Sequence, residues 1–415
     1  MTAAILRLNR RTFASLRRHR NYRLFFAGQV ISVTGSWMQN IGLAWLVIEL
    51  THSPVAVGGL AFARFLPFTV LGLFAGVIAD RLDYRRLVIA TQAASMAVSA
   101  LLTVLVFGNW ASLPVVYALA GLLGTALVFD APGRHALTFQ MVGRDELANA
   151  VALNASLFNA SRVIGPAVAG VLIAWIGVGA CFLVNTVSFL AVLASLLAMR
   201  ATDLFPVEQA AERPEILRGT REGIVYAWRS PEVRLVLAIV TVISTVGFNF
   251  HVLLPLLASQ TLNTGPEVFG ILSACFGAGA LAGALLSAGF GRASWKLLVA
   301  GTAGFSLSML ALAPVTAVWA CAVLLFAVGV SFTLWTSNAN AILQLGVPDH
   351  LRGRVVGLYL FAFAGLAPIG GLLAGWLTDV GGTELSFLVG GATGLAMAAL
   401  AATRLRGLLR PVPAA

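Results

Sequence analysis

Two arginines, Arg64 and Arg162, stand inside long apolar runs of this 415-residue chain, far from either end of those runs. Arg64 lies about 16 residues, or roughly 24 Å of helix rise, before Asp80; Arg162 lies about 13 residues, or roughly 20 Å, beyond Asn149. Even the lenient insertion scale sets about 2.5–3.5 kcal/mol against such a residue at bilayer depth, so each needs a wet cavity or a partner. The chemistry open to them is recognition of an anionic or strongly hydrogen-bonding group. The plainer alternatives are structural pairing with backbone carbonyls, Glu49 or Asp130, or helix limits that differ from those drawn here. Polar neighbours extend the candidate binding set. Ser36 and Asn40 share a face of the first run with Gln29 and Ser32, within about 80° at 100° per residue. Asn159 lies one turn before Arg162 on the same face, and His251 stands in a later run. The substrate-binding candidates are therefore Arg64, Arg162, Asn40, Ser36, Asn159 and His251. His251 also changes charge near neutral pH, so it joins Glu49 and Asp130 as a candidate proton carrier, although a neutral, hydrogen-bonded imidazole explains it as well.

The elements that hold these residues follow from composition. Hydrophobic residues make up 59% of the chain and charged ones 10%, whereas soluble domains carry roughly 25% charged residues. The apolar material comes in runs of about 18 to 25 residues, the length that crosses about 30 Å of hydrocarbon. We read twelve spans, and a helical bundle follows because backbone groups in lipid must be satisfied within the chain. Apart from Arg64 and Arg162, the lysines and arginines fall at the termini and in every second loop. The opposite loops hold only Glu49, Glu267, Asp379 and Glu384 as charges. The positive-inside rule then places both termini in the cytoplasm. The formal net charge of +11 is explained by this topology and by attraction to anionic headgroups, so nucleic acid is not an expected partner. Cys181, Cys275 and Cys321 all fall within spans and form no disulfide or metal signature.

A charged stretch near the middle divides the spans into two sets of six. Laid over one another, the sets bring Gly59 onto Gly270, Gly72 onto Gly283, Gln140 onto Gln344 and Gly170 onto Gly375. The expected organisation is a basic arm (1–21), a six-helix bundle (22–199), a cytoplasmic linker (200–233), a second bundle (234–403) and a tail (404–415). Two such repeats with a site between them form a transporter architecture. In this alignment Arg64 falls on Cys275 and Arg162 on Leu366, so the second copy folds without either cation.

The string Gly76–Arg86, GVIADRLDYRR, resembles the signature between spans 2 and 3 of the major facilitator superfamily. The strings Gly35–Pro54 and Phe129–Gly170 resemble the branch of drug and siderophore exporters that includes enterobactin and macrolide exporters. The resemblance implies an all-α fold of two pseudo-symmetric six-helix bundles. It also implies a cytoplasmic latch formed by Asp80, Arg81, Arg85 and Arg86, with Asp80 meeting the start of span 11 near Gly353. Asp130 and Arg134, four residues apart, are expected to add a gate contact there. Gly165, Pro166 and Gly170 resemble the antiporter motif of span 5, which implies export, although Ala169 replaces one of its glycines. The arginine motif of span 4 is missing, since no charge occurs between Ser112 and Phe129.

The expected function is secondary export of an amphipathic, anionic small molecule by alternating access through a bacterial-type inner membrane, with protons as the candidate exchange ion. The alternative within the fold is an importer or lysolipid flippase. An intramembrane enzyme is the different-class alternative. Against it, the chain has no H-E-x-x-H, G-x-S-x-G, paired membrane aspartates or P-loop. No cofactor or metal is expected; the expected partners are a small-molecule substrate and the lipid bilayer, with the protein acting as a monomer.

Overall fold

In the computed structural model, residues 13–206, 216–290 and 293–408 are described, and among them every regular element is helical. Most of the basic arm, the middle of the linker, Arg292 and the end of the tail lie outside these residues. The amino-terminal half comprises α1 (Ala14–Arg18), α2 (Arg20–Thr51), α3 (Pro54–Ala79), α4 (Tyr84–Phe107), α5 (Leu113–Ile176) and α6 (Gly179–Leu197). After α7 (Ile216–Arg229), the carboxy-terminal half comprises α8 (Pro231–Val242), α9 (Phe250–Leu256), α10 (Pro266–Phe290), α11 (Trp295–Leu312), α12 (Val318–Gly346), α13 (Asp349–Leu360) and α14 (Ala367–Leu408).

Local chemistry sets the boundaries. The Ser53 hydroxyl accepts from the Ala56 N–H ahead of Pro54, and the Asp83 carboxylate accepts from the Arg86 N–H, so both side chains cap helix starts. Among the described residues, nine helical segments are long and apolar enough to cross a membrane. The 32-residue α2 falls outside that set because Gln29, Ser32, Ser36, Gln39 and Asn40 interrupt its apolar character. As a single rod, the 64-residue α5 would be about 96 Å long, some three times the hydrocarbon thickness. It doubles back at Gly143, where φ is +67° and the Phe205 ring covers the turn. The 42-residue α14 doubles back at Gly381 and Gly382, with Ser386 reaching the Thr378 hydroxyl across the bend. Exposed Trp110, Trp175 and Trp319 stand near helix ends, as tryptophans do at membrane interfaces.

The halves meet at the end of the bundle away from the arginine-rich loops. A Cβ at Gly58 on α3 would come within 2.6 Å of the Gly371 carbonyl on α14. Likewise, one at Gly170 on α5 would come within 2.7 Å of the Pro266 carbonyl on α10. These small residues let backbones touch. At the arginine-rich end the arrangement is reversed. Cβ atoms at Gly76, Gly353 and Gly357 would meet nothing within 4 Å. The halves are closed on one side and parted on the other.

Candidate functional site

Between the halves lies a cavity of about 250 Å³. From the first half, α2 contributes Trp37 and Asn40, α3 contributes Arg64 and Phe65, and the second limb of α5 contributes Arg162 and Pro166. From the other half come Phe248, Phe250 and His251, followed by Phe269, Ser273 and Phe276 of α10. Among the described residues no Asp or Glu lines it. Arg64, Arg162 and Asn40 are partly exposed to this space and His251 more fully.

The two guanidinium groups differ in their surroundings. Arg162 Cζ lies 4.6 Å from the Phe276 ring centroid, 5.4 Å from Phe332 and 5.9 Å from Trp37. Rings from both halves thus surround one cation. Such contacts are worth from about 0.5 kcal/mol to about 2 kcal/mol when desolvated, which offsets part of the burial cost. Arg64 has a single ring near it, Phe65 at 6.0 Å, and Phe65 in turn packs edge-on against His251 at 5.2 Å. Neither arginine makes an ion pair with a described carboxylate. The Ser273 hydroxyl, on the same wall, is buried without a hydrogen-bond partner. The cavity therefore presents two positive charges on a largely aromatic surface. It suits a molecule with an acidic head and an apolar body.

The structure brings Arg64, Arg162, Asn40 and His251 together but leaves Ser36 and Asn159 off this wall. The Ser36 hydroxyl donates to the Ser32 carbonyl within its own helix. Asn159 instead lines a separate chamber, with its amide donating to the Ala155 carbonyl. Glu49 is exposed at the closed end of α2, too far along the helix to pair with either arginine. Among the described groups no carboxylate takes that role, so the alternative of structural pairing with Glu49 or Asp130 is not what the structure shows.

Asp130 and Arg134 do pair, but not across the halves. Arg134 donates through Nε and Nη2 to Asp130 Oδ2, while Thr91 and Gln92 donate to Oδ1 at 2.8 Å. Arg134 Nη1 reaches Gln29 Oε1 on α2. The expected gate contact is instead an internal staple of the first half, tying α2, α4 and α5 together. The expected contact of Asp80 with the start of span 11 is also not made. Asp80 is exposed and accepts from the Tyr84 hydroxyl at 3.0 Å, with open space at Gly353. Arg85 donates to the Leu196 and Leu197 carbonyls at the end of α6, whereas Arg81 and Arg86 are exposed. The halves are apart at this end, which explains why Asp80 does not reach α13. In the antiporter-like string, Gly165 lets α5 press on the Trp37 Cβ. Pro166 and Gly170 face Gly270 across the interface.

The sequence reading missed Trp37, Phe65, Ser273, Phe276 and Phe332. Trp37 carried a usable signal, since it lies three residues from Asn40 on the polar face of α2.

Known proteins resemble this chain in sequence and in fold. A family described as transmembrane secretion effector matches residues 10–412. The chain is 28% identical to the staphyloferrin A transporter of Staphylococcus aureus over 89% of its own length and 92% of that protein. It is 25% identical to macrolide efflux protein A of Streptococcus pyogenes, covering 91% of this chain and 95% of the other. A solved POT family transporter in complex with thioalcohol conjugated peptide superposes with a TM-score of 0.74 at 12% identity, over 94% of this chain and 97% of that one. At that identity the likeness shows the fold alone.

Proposed function

This chain belongs to the transmembrane secretion effector family, within the major facilitator superfamily, and is a multi-pass small-molecule transporter; from that premise we propose that it exports an amphipathic anion by alternating access. The observation that carries this reading is the pair of guanidinium groups in a cavity without a carboxylate. Arg64 and Arg162 anchor the acidic head, Asn40 and Ser273 hydrogen-bond to it, and Phe248, Phe269 and Phe276 cover the apolar body. Arg162 contacts rings of both halves, so bound substrate can bias their relative position. The names of the two relatives, one a staphyloferrin transporter and one a macrolide efflux protein, support cargo of metabolite or drug size.

The proposed topology has twelve crossings in two bundles, 22–199 and 234–403, with α5 and α14 each supplying two limbs. The arginine-rich loops and both termini face the cytoplasm by the positive-inside rule. The parted end is then cytoplasmic, and the conformation is the one that loads cargo from inside the cell. One chain supplies the whole cavity wall, so a monomer suffices. For proton exchange, His251 is the best placed of the three candidates, because it shares the cavity with both arginines.

The test is flux in proteoliposomes, using naphthalene-2-sulfonate as the anionic probe and tetraphenylphosphonium as the cationic one. Saturable anion flux that falls at least tenfold in Arg64→Ala and Arg162→Ala, with both variants still folded, is the expected result. Cation flux indifferent to both substitutions sinks the anion reading and leaves the carrier fold intact. Flux of His251→Gln should lose its pH dependence at clamped membrane potential; retained dependence removes His251 as carrier.

A further inference from the structure

A second space of about 380 Å³ lies entirely within the first half, toward the parted end. Its wall includes Gln29, Arg134, His135, Asn154, Phe158 and Asn159. An aromatic contact stands between it and the central cavity. Trp37 lines the cavity, Phe158 lines the chamber, and their rings meet edge-on at 5.6 Å. Asn159 and Arg162, one turn apart on α5, stand on opposite sides of this partition.

The two compartments differ in charge compensation. In the cavity, Arg64 and Arg162 have no carboxylate beside them. In the chamber, Arg134 is neutralised by Asp130. Its bonds to Asp130 and Gln29 use three of five guanidinium N–H groups, and two stay available to an acceptor. The Asn154 carbonyl oxygen takes the Tyr22 hydroxyl, leaving its amide free to donate. This wall hydrogen-bonds an oxygen-rich head without a net charge to trap it.

We propose that the chamber is a second binding station, the first that cargo meets from the cytoplasm, with the Trp37–Phe158 pair as its inner gate. This rests on the anion reading of the central cavity. A carboxylate or sulfonate docks on Arg134, Asn154 and Asn159, then passes the rings to the uncompensated charges of Arg64 and Arg162. The step inward is favoured because only the deeper site carries net positive charge. Staging of this kind loads the cavity in one direction without a trap at the mouth.

Thiol reactivity tests it on the full chain in nanodiscs, with Cys181, Cys275 and Cys321 replaced by alanine. Single reporters at Ala155→Cys (chamber) and Asn40→Cys (cavity) are treated with an anionic methanethiosulfonate (the ethylsulfonate) and a cationic one (the ethyltrimethylammonium). The anionic-to-cationic rate ratio should be at least tenfold higher at the cavity reporter than at the chamber reporter. Phe158→Ala should raise the cavity rate severalfold and leave the chamber rate unchanged. Naphthalene-2-sulfonate should slow labelling at Ala155→Cys even when Arg64 and Arg162 are both alanine, and Asn154→Leu should abolish that protection. Equal charge ratios, a cavity rate indifferent to Phe158→Ala, or chamber protection lost together with the two arginines each overturns the proposal. Protection of the chamber reporter without protection of the cavity reporter in the otherwise unaltered chain overturns the anion reading of the cavity instead. Protection at neither position overturns both.

Discussion

The two halves descend from one pattern, yet they hold themselves together by different physics. In the first half α2 runs unbroken from Arg20 to Thr51 and is stapled by buried polar networks. One is the Gln29–Arg134–Asp130–Thr91–Gln92 set. In the other, Gln39 accepts from Ser99 and Asn185 at 2.7 and 2.6 Å. In the second half the equivalent of α2 is interrupted. Wide π-type turns at Ile243–Gly247 and Leu257–Thr261 flank α9, and the chain leaves helical geometry at Phe248 and Asn249. A third such turn, Phe361–Gly365, separates α13 from α14. Rings fill this half instead: Phe248 stacks on Phe332 at 4.2 Å, and Phe250 on Phe276 at 5.0 Å. Hydrogen-bonded ions demand fixed geometry, whereas apolar rings slide at small cost. The contrast is between a charged, hydrogen-bonded frame in the first half and an apolar, ring-packed jaw in the second. π-turns beside a cavity mark sites where a helix can change register.

The largest effect that would break this contrast is at Asp130. Asp130→Leu strands Arg134 inside the first half and should cost about 3–5 kcal/mol, read as a fall in thermal unfolding temperature. Adding Arg134→Met should restore most of the loss. A silent Asp130→Leu would show that the frame is not held by ions. Next in size is Gly58→Ala, whose methyl group would press on the Gly371 carbonyl. Spin labels on the closed-end loops should report a longer distance between the halves, while Gly76→Ala, with open space around it, should leave that distance alone. Equal responses would remove the asymmetry between the two ends. A smaller coupling is expected between Arg162 and Phe276: the double-mutant cycle of Arg162→Met with Phe276→Leu should give about 0.5–2 kcal/mol. The smallest effect belongs to Trp335, whose indole N–H is buried among Phe305, Phe332 and Phe363 without an acceptor. Trp335→Phe removes a polar atom that already lacks a partner, which offsets part of the cavity left by the smaller ring, so its net cost should stay within about 1 kcal/mol. Clear destabilisation there would mean that the jaw, too, relies on a polar bond.

The fold was legible because lipid permits so few backbone solutions: apolar runs, alternating loop charge and duplicated glycines pointed to one architecture. Arg64, Arg162, Asn40 and His251 could be picked out because a polar group in an apolar run is conspicuous. Ser36 and Asn159 fall off the cavity wall for a physical reason. A helical wheel gives the angle of a side chain about its own axis but not which neighbour covers that face. Arg134 illustrates the same limit, since its partner Gln29 lies on another helix and no spacing rule connects them. The aromatic cage around Arg162 was hidden by abundance, with 25 phenylalanines offering no contrast. The breaks near Asn249 do have a local signal, Gly247 just before them and Pro255 in the helix that follows, but a lone glycine or proline in an apolar run does not fix where a helix opens.

What matters most is whether the unpaired arginines draw an anion into the space between frame and jaw. Equilibrium binding of naphthalene-2-sulfonate to the purified protein in nanodiscs, measured for the unaltered chain, Arg64→Ala and Arg162→Ala, addresses this without depending on turnover. A Kd that rises at least tenfold in each variant, with tetraphenylphosphonium binding weakly throughout, is the expected result. Anion affinity unchanged by either substitution, or a preference for the cation in the unaltered chain, would contradict it.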